Sequence, residues 1–372
     1  MTTFPYAHVA APDWRSACDA VGAALGPVPG GGALGFVYAH HSLAGDMERI
    51  VEDLRHRTGL AHWVGTVGLG VCSTGREAYD EPTLAVLATD IPAVACHLLP
   101  PMLDDVAEPL AATADWRDRH DARFAVVHGD PSNNQLPQLI TALADGLGHG
   151  YLVGGLTSSE GMQVQVADRA VGGGLSGVLL GAEVPVATGL SQGCSLIGRK
   201  HEITQCQRNI LVELDGRPAL DVLKEDIGEV LARDLRRIGG YIFAALPIAG
   251  SDTGDYLVRN LIGVDPDQGL IAVGDLLQPG TSLQFAKRDA QTARADLERM
   301  VDKLRERLPG EPKGALYHSC LGRGRHLFGD NSAELQLLRE HLGDVPLVGF
   351  YANGEISHRR LYGYTGVLTV FC

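Results

Sequence analysis

The segment from Ala315 to Asp330 reads ALYHSCLGRGRHLFGD, and the chain continues through a helical pattern into VPLVGFYANGEISHRRLYGYTGVLTVF at Val345–Phe371. An apolar run that ends in Cys320 predicts a buried strand, and the glycine-containing turn after it carries Arg323. The second segment predicts further strands around Glu355. Because strands deliver polar side chains to loop ends on a rigid scaffold, we expect a binding site in this part of the chain.

Weaker copies of this layout occur upstream. A strand, helix, strand, strand pattern spans 36–88 and 124–180 before it returns at 315–371. In the last two copies a Val-Gly pair precedes a glutamate with five residues between them, at Glu160 and at Glu355. Such pairs also occur in α/β proteins without repeats, but a true βαββ repeat would place equivalent loops on one side of a sheet. We therefore expect an α/β fold of two closely packed mixed-sheet domains built from βαββ-like units.

Chain length indicates how these units are divided. A chain of 372 residues exceeds the size at which one core keeps growing, so we expect two domains, at 30–185 and 186–372. Within the second domain an apolar stripe predicts a helix from Pro218 to the glycine pair at Gly239. A longer helix with a charged face follows later, and Asp289 is its predicted cap.

Composition narrows the classes of function. The formal net charge of −14 argues against nonspecific binding to nucleic acid or to an anionic membrane surface. The first residues lack a secretory signal, and no stretch approaches eighteen uninterrupted apolar residues, so we expect a cytoplasmic protein without a membrane span. The GxxxxGK[ST] phosphate loop is absent from the sequence, which argues against a nucleotide.

The seven cysteines are scattered and show no CxxC spacing, so neither a disulfide framework nor a zinc knuckle is indicated. We expect no metal and no cofactor. A metal site from Cys194, Cys206, Cys320 and His318 stays open only if the fold gathers these residues.

Charged residues of both signs indicate what the site could bind. Arg323 and Arg325 flank a glycine, and a guanidinium fork is suited to a carboxylate. Glu355, Glu160 or Asp130 could hold an ammonium group, and together these residues describe a site for an amino-acid-sized zwitterion. The alternative for the arginines is a structural ion pair or a solvated turn.

The remaining candidate residues carry alternatives as well. Asn353 precedes a glycine, and Asn-Gly is the commonest tight hairpin turn, so it is either a turn residue or a ligand contact. Cys320 is either an inert thiol, a ligand contact or a nucleophile for acyl or amide chemistry. The other predicted ligand contacts are polar residues at strand ends or turns: Gln192, Cys194, His128 and Ser158.

Several of these motifs resemble the FIST family, with its FIST N and FIST C regions. The similarity rests on CLGRGRHLFG at 320–329, GFYANGE at 349–355, and SQGC with the following Ile-Gly at 191–198. It implies an intracellular sensory module that binds a small ligand, which could be an amino acid, and that signals through a partner protein. The first unit, with VCSTGRE at 71–77, resembles the family pattern only loosely.

Three functions therefore remain open: a sensory module for a small polar metabolite, an enzyme that uses Cys320 or a nearby carboxylate, and an interaction scaffold without a ligand. The sensory function requires distant segments to meet around one hollow. In particular, the Arg323 turn and the Gln192 turn must lie on the same side of the molecule.

Overall fold

A computed structural model describes residues 3–26, 28, 32–248 and 256–372. Contacts divide the chain into two compact units, one of Met1–Gln192 with Arg294–Cys372 and one of Gly193–Ala293. Both contain helices and strands in mixed or antiparallel sheets, which confirms the α/β class. The predicted domain boundary after residue 185 stays a prediction, and residue 30 lies outside the described residues.

The first unit contains one arrangement of elements three times. The first repeat comprises β1 (Tyr6–Ala10), α1 (Trp14–Leu25), β2 (Leu34–His40), α2 (Met47–Thr58), β3 (His62–Gly68), β4 (Val71–Ser73), β5 (Arg76–Ala78) and β6 (Thr83–Ala88). The second comprises β7 (Cys96–Met102), α3 (Ala107–Ala112), α4 (Ala114–His120), β8 (Phe124–Gly129), α5 (Leu136–Gly146), β9 (Tyr151–Leu156), β10 (Gln165–Ala167), β11 (Ala170–Val171) and β12 (Leu175–Leu180).

The third repeat is interrupted after its first strand, β13 (Val186–Gln192). The interrupting segment carries β14 (Cys194–Gln207), β15 (Ile210–Leu214), β16 (Arg217–Pro218), α6 (Ala219–Ile227), α7 (Glu229–Ala232), β17 (Ile242–Pro247), β18 (Tyr256–Asp265), β19 (Leu270–Val273) and β20 (Ser282–Arg288). The repeat then resumes with α8 (Ala290–Glu306), β21 (Gly314–Cys320), α9 (Ala333–Leu342), β22 (Leu347–Ala352), β23 (Glu355–His358), β24 (Arg360–Tyr362) and β25 (Thr365–Phe371).

Each repeat has a parallel strand pair at its centre, β2 with β3, β8 with β9 and β21 with β22. The Val-Gly pair of the sequence lies in the second strand of each pair. A Cβ atom on Gly65, Gly154 or Gly349 would lie 1.7, 1.8 or 1.7 Å from a carbonyl oxygen of the neighbouring strand. Only glycine therefore fits at these three positions, which explains why the pair recurs.

The repeats exchange their short hairpins in a cycle. The hairpin β4–β5 of the first repeat pairs with β22 of the third, β10–β11 of the second pairs with β3 of the first, and β23–β24 of the third pairs with β9 of the second. Each of the three six-stranded sheets thus contains strands from two repeats. The apolar faces of these sheets form a shared core that includes Phe36, Val126 and Leu316.

The second unit is an antiparallel barrel. Its strands pair in the order β14, β20, β17, β18, β19 and β15, and β15 pairs back with β14, so the described strands form a closed ring. The prediction of one long helix after Pro218 was wrong, because Gly228 adopts a φ of 77° and ends α6 at Ile227. Asp289 does cap α8, since its Oδ1 accepts the N–H of Thr292 at 2.7 Å.

Among the described residues, no helix combines the length and the apolar character that a membrane crossing requires.

Candidate functional site

Three aromatic side chains at equivalent positions of the three repeats meet in the core of the first unit. Tyr38 pairs with Thr66, His128 with Gly155 and His318 with Phe350, each one residue beyond the Val-Gly pair of its repeat. The ring centroids of Tyr38, His128 and His318 are 5.5, 5.7 and 5.8 Å apart, which is almost an equilateral triangle.

A single hydroxyl connects this triangle. The Tyr38 hydroxyl lies 2.9 Å from Nε2 of His318 and 3.3 Å from Nε2 of His128. Burial lowers the pKa of His318 to about 3 and lowers that of His128 well below its usual value, so both rings are neutral. All three side chains are fully buried, and Phe350 stacks on Tyr38 at 5.3 Å. The triangle therefore joins the repeats and has no open face.

Two residues further along each strand, the equivalent positions carry three different polar groups. These are His40, Asp130 and Cys320, and each accepts the main-chain N–H of the residue two positions later, at 3.4, 2.9 and 3.4 Å. The N–H of Gly173 also reaches Asp130, at 2.9 Å, and the equivalent N–H of Tyr364 lowers the pKa of Cys320. We call this arrangement, in which a side chain accepts one or more main-chain N–H groups, a main-chain cradle. The three cradles hold an imidazole, a carboxylate and a thiol.

The third cradle adjoins a buried carboxyl group. Glu355 is fully buried, and its Oε2 accepts the N–H and the Oγ–H of Thr365 at 3.0 and 2.8 Å. Its Oε1 receives no N–H or O–H donor from the described residues. Burial raises the pKa of Glu355 to about 8, against the smaller effects of Thr365, Arg323 and the Cys320 thiol. We call Cys320, Gly322, Glu355, Tyr364 and Thr365 the Cys320 site.

Cys320 is a partly exposed residue, whereas Glu355 is fully buried. Cys320 retains some solvent exposure at the end of β21, and burial followed by the charge of Glu355 raises its pKa. The half-buried ring of Tyr364 covers Gly322, since a Cβ on that glycine would lie 2.9 Å from the ring and 3.7 Å from the sulfur. Tyr364 itself has a φ of 61°, which is unusual for a residue with a side chain.

Arg323 lies beside the Cys320 site but is engaged by protein groups. Its Nε donates to Glu334 at 2.7 Å, and both side chains are fully buried. Its Nη atoms lie 3.5 and 3.3 Å from the carbonyl and hydroxyl oxygens of Ser191, and 3.5 Å from the Tyr317 hydroxyl. The guanidinium therefore forms an internal ion pair, and its charge lowers the pKa of both Glu355 and Cys320.

The same contacts place the end of β13 next to the Arg323 turn. Gln192 pairs with Thr365 in the sheet, one residue beyond Ser191, and its N–H donates to Asp296 at 2.6 Å. The Arg323 turn and the Gln192 turn thus lie on the same side of the first unit, as the sensory function requires. Cys320, Arg323, Glu355 and the backbone of Gln192 are the predicted site residues that the fold brings together.

Other predicted site residues lie elsewhere in the first unit. Arg325 binds Asp80, with a second contact of 3.1 Å, and lies 4.3 Å from the Tyr79 ring. Ser158 is buried and bonds the N–H of Leu69 at 2.9 Å and the carbonyl of Tyr351 at 2.5 Å.

Asn353 and Glu160 are exposed. Asn353-Gly354 does not form a hairpin, because it connects β22 to β23, which lies in a different sheet. The charge of Glu160 raises the pKa of His40, although burial lowers that pKa more.

Cys194 and Cys206 belong to the second unit, where the Cys194 carbonyl accepts the Tyr256 hydroxyl at 2.5 Å. The His318 Nε2 is bonded to Tyr38. Within the residues that the structure describes, no group of three or more His, Cys, Asp or Glu side chains is arranged to hold a metal ion.

Sequence reasoning missed Tyr38, Glu334, Tyr364 and Thr365. Tyr38 had a signal, because aligning the three Val-Gly pairs places it at the position of His128 and His318. No sequence pattern indicated Thr365 or Tyr364, since their role depends on how β25 packs beside the exchanged strand β23.

Comparison with protein families matches residues 33–217 to the FIST N domain and residues 219–358 to the FIST C domain. Among curated proteins, the chain is 34% identical over 330 residues to the uncharacterized protein Rv0628c of Mycobacterium tuberculosis (strain ATCC 25618 / H37Rv), covering 83% of each chain. It is 36% identical over 209 residues to the uncharacterized protein Mb0898c of Mycobacterium bovis (strain ATCC BAA-935 / AF2122/97), covering 53% of this chain and 54% of that protein. The chain therefore belongs to the FIST family, whose domains serve in sensing and signal transduction.

Proposed function

We propose that this protein senses a small polar metabolite, with amino acids as the first candidates, at the Cys320 site and passes the signal to a separate partner protein. The observation that carries the proposal is the Oε1 atom of Glu355, which is buried without an N–H or O–H donor among the described residues. A buried polar atom without such a partner costs stability unless a ligand or water completes it.

The internal repeats indicate that the fold does not require this carboxyl group. By strand register the position of Glu355 corresponds to Gln165 in the second repeat and to Val71 in the first. Val71 is a buried apolar residue and Gln165 a neutral amide, and both support the same hairpin exchange. A buried carboxyl group that lowers the stability of the folded protein and that the fold does not require is typical of a functional site.

The location of the site fits a ligand of limited size. Cys320 is partly exposed, the Tyr364 ring covers the adjoining glycine, and Glu355 lies fully buried beside the thiol. A ligand that enters beside Cys320 would meet Oε1 of Glu355, which has no hydrogen-bond partner among the described residues, whereas the buried Arg323 cation is already paired with Glu334. A molecule with one polar hydrogen-bonding group matches this feature.

The test is a thermal-shift screen against amino acids, primary amines and organic acids, since a ligand of the native state raises the melting temperature with its saturation. The Glu355→Gln variant imitates the second repeat, and Glu340→Gln, on an exposed position of α9, is the matched control. We expect at least one compound to stabilise the wild type and the control but not Glu355→Gln. A flat response of the wild type across the panel, or equal shifts in all three proteins, would contradict the proposal.

The enzyme alternative places a nucleophile at Cys320. A thiolate is the reactive form of cysteine, and both burial and the charge of Glu355 raise the pKa of this thiol. The resting site therefore holds a thiol, and binding needs no base to remove its proton, whereas acyl transfer does.

A further inference from the structure

Cys320 occupies a main-chain cradle that the second repeat uses to hold a carboxyl group. The Asp130 side chain accepts the N–H of Ser132 and of Gly173, both at 2.9 Å. The equivalent donors in the third repeat are Gly322, whose N–H lies 3.4 Å from the Cys320 sulfur, and Tyr364. Main-chain N–H groups that converge on one point favour negative charge, so those of Gly322 and Tyr364 lower the pKa of the Cys320 thiol, although burial and Glu355 raise that pKa more.

A proton acceptor lies beside the thiol. Thr365 binds the Glu355 carboxyl group and precedes Gly366, the sheet partner of Ser319, so this carboxyl group lies near the Cys320 thiol. Its Oε1 has no hydrogen-bond partner among the described residues. In the other two repeats the corresponding residues, Gln165 and Val71, cannot accept a proton. The third repeat alone therefore combines a cysteine in the cradle with a carboxyl group next to it.

We propose that Cys320 is a thiol–disulfide exchange site in which Glu355 accepts the thiol proton. The Cys320 proton moves to Oε1 of Glu355 while the sulfur attacks one sulfur of a low-molecular-weight disulfide. The S–S bond of that disulfide breaks, a protein mixed disulfide forms, and the leaving thiolate takes the proton back from Glu355 and departs as a thiol. No external oxidant is needed, because the disulfide is itself reduced.

This modification does not depend on the metabolite proposed above. It would place a covalent group at the Cys320 site. The ratio of disulfides to thiols around the protein would then set the fraction of molecules in which a metabolite can enter that site. The resting group is a thiol, since burial raises the pKa of Cys320. Exchange therefore depends on the ionised form of Glu355, whose pKa of about 8 gives the reaction a characteristic pH profile.

The experiment uses 2-hydroxyethyl disulfide as the probe, with mass-spectrometric mapping of each cysteine over time. Cys206 and Cys372, which are also partly exposed, serve as internal references in the same sample. We expect a mixed disulfide at Cys320, formed at a rate that rises with pH with a midpoint near pH 8. In Glu355→Gln we expect this rate to fall at least tenfold while the two reference cysteines keep theirs, as they do in the control Glu340→Gln.

A second variant keeps the test decisive if Glu355→Gln does not fold. The Thr365 hydroxyl donates to Oε2 and thereby lowers the pKa of Glu355. Thr365→Val removes this hydroxyl, so the pKa should rise and the midpoint of the pH profile should move to higher pH. Equal Cys320 rates in wild type and Glu355→Gln, an unshifted midpoint in Thr365→Val, or an unmodified Cys320 while Cys206 reacts would each overturn the proposal.

Discussion

The Tyr38 hydroxyl lies 2.9 Å from Nε2 of His318, although 280 positions separate the two residues in the sequence. Both residues occupy the same position of their repeats, and both are fully buried. The repeats are thus joined at their centre by a polar contact as well as by the exchange of hairpins at their edges.

Removing this hydroxyl should destabilise the first unit. Tyr38→Phe leaves Nε2 of His318 and of His128 without their partner, and an unsatisfied buried polar group costs about 1–3 kcal/mol. Tyr6→Phe, at an exposed position, is the control and should change the free energy of unfolding by less than about 0.5 kcal/mol. Chemical denaturation of the three proteins measures the difference, and equal midpoints for Tyr38→Phe and wild type would show that the contact does not matter.

The recurrent glycine offers a sharper test of the parallel strand pairs. Gly65→Ala places a Cβ 1.7 Å from the carbonyl oxygen of Val37, so β2 and β3 must separate. We expect a loss of at least about 3 kcal/mol or an insoluble protein, which is the range of severe core disruption. Gly161→Ala, where no atom lies within 4 Å, should fold normally. Comparable stability of both variants would contradict the observed strand register.

The buried ion pair should be more important for stability than the exposed one. Breaking Arg323–Glu334 by Glu334→Gln leaves an uncompensated buried guanidinium, which typically costs about 3–5 kcal/mol. Asp80→Asn removes the partner of Arg325 at the surface and should cost at most about 1 kcal/mol. Urea titrations of both variants measure the two losses of unfolding free energy. A loss for Glu334→Gln that does not exceed the loss for Asp80→Asn would contradict this prediction.

The pH dependence of Glu355→Gln reports the burial of the carboxyl group. The folded pKa of about 8 lies above the ordinary value of 4.5, so the folded state binds the proton more tightly and the wild type loses stability as pH rises between these values. The variant lacks this loss. Its free energy of unfolding relative to wild type should increase by about 1.4 kcal/mol per pH unit from pH 5 to 8 and stay constant above pH 8. A difference that does not vary with pH would mean that Glu355 is not desolvated.

Local sequence was sufficient for the central strands and helices of the repeats but not for the exchange of their hairpins. The apolar run before Cys320 and the Val-Gly pairs predicted strands that the structure contains, because burial and close backbone approach leave a local signature. The hairpins that pair with another repeat left no such local signature. Their strands β4, β10 and β23 have only three or four residues each and pair with distant parts of the chain. Which sheet receives a short strand is a nonlocal choice that composition does not encode.

The candidate site shows the same division. Cys320 and Glu355 were predicted together from strand ends, and the fold brings them together. Arg323 was predicted to bind a ligand carboxylate, and its ligand role stays a prediction. Its guanidinium group forms an ion pair with Glu334, a residue of the following helix. Whether a guanidinium meets a carboxylate of its own chain or of a ligand depends on packing, and the sequence pattern is the same in both cases.

The most direct measurement is a crystal structure of the protein with a compound that stabilises it in the thermal-shift screen. We expect electron density for the compound beside Cys320, with a donor atom within hydrogen-bond distance of Oε1 of Glu355. Density for the compound at another location, with Oε1 bonded to nothing or to water alone, would contradict the assignment of the Cys320 site as the sensory site.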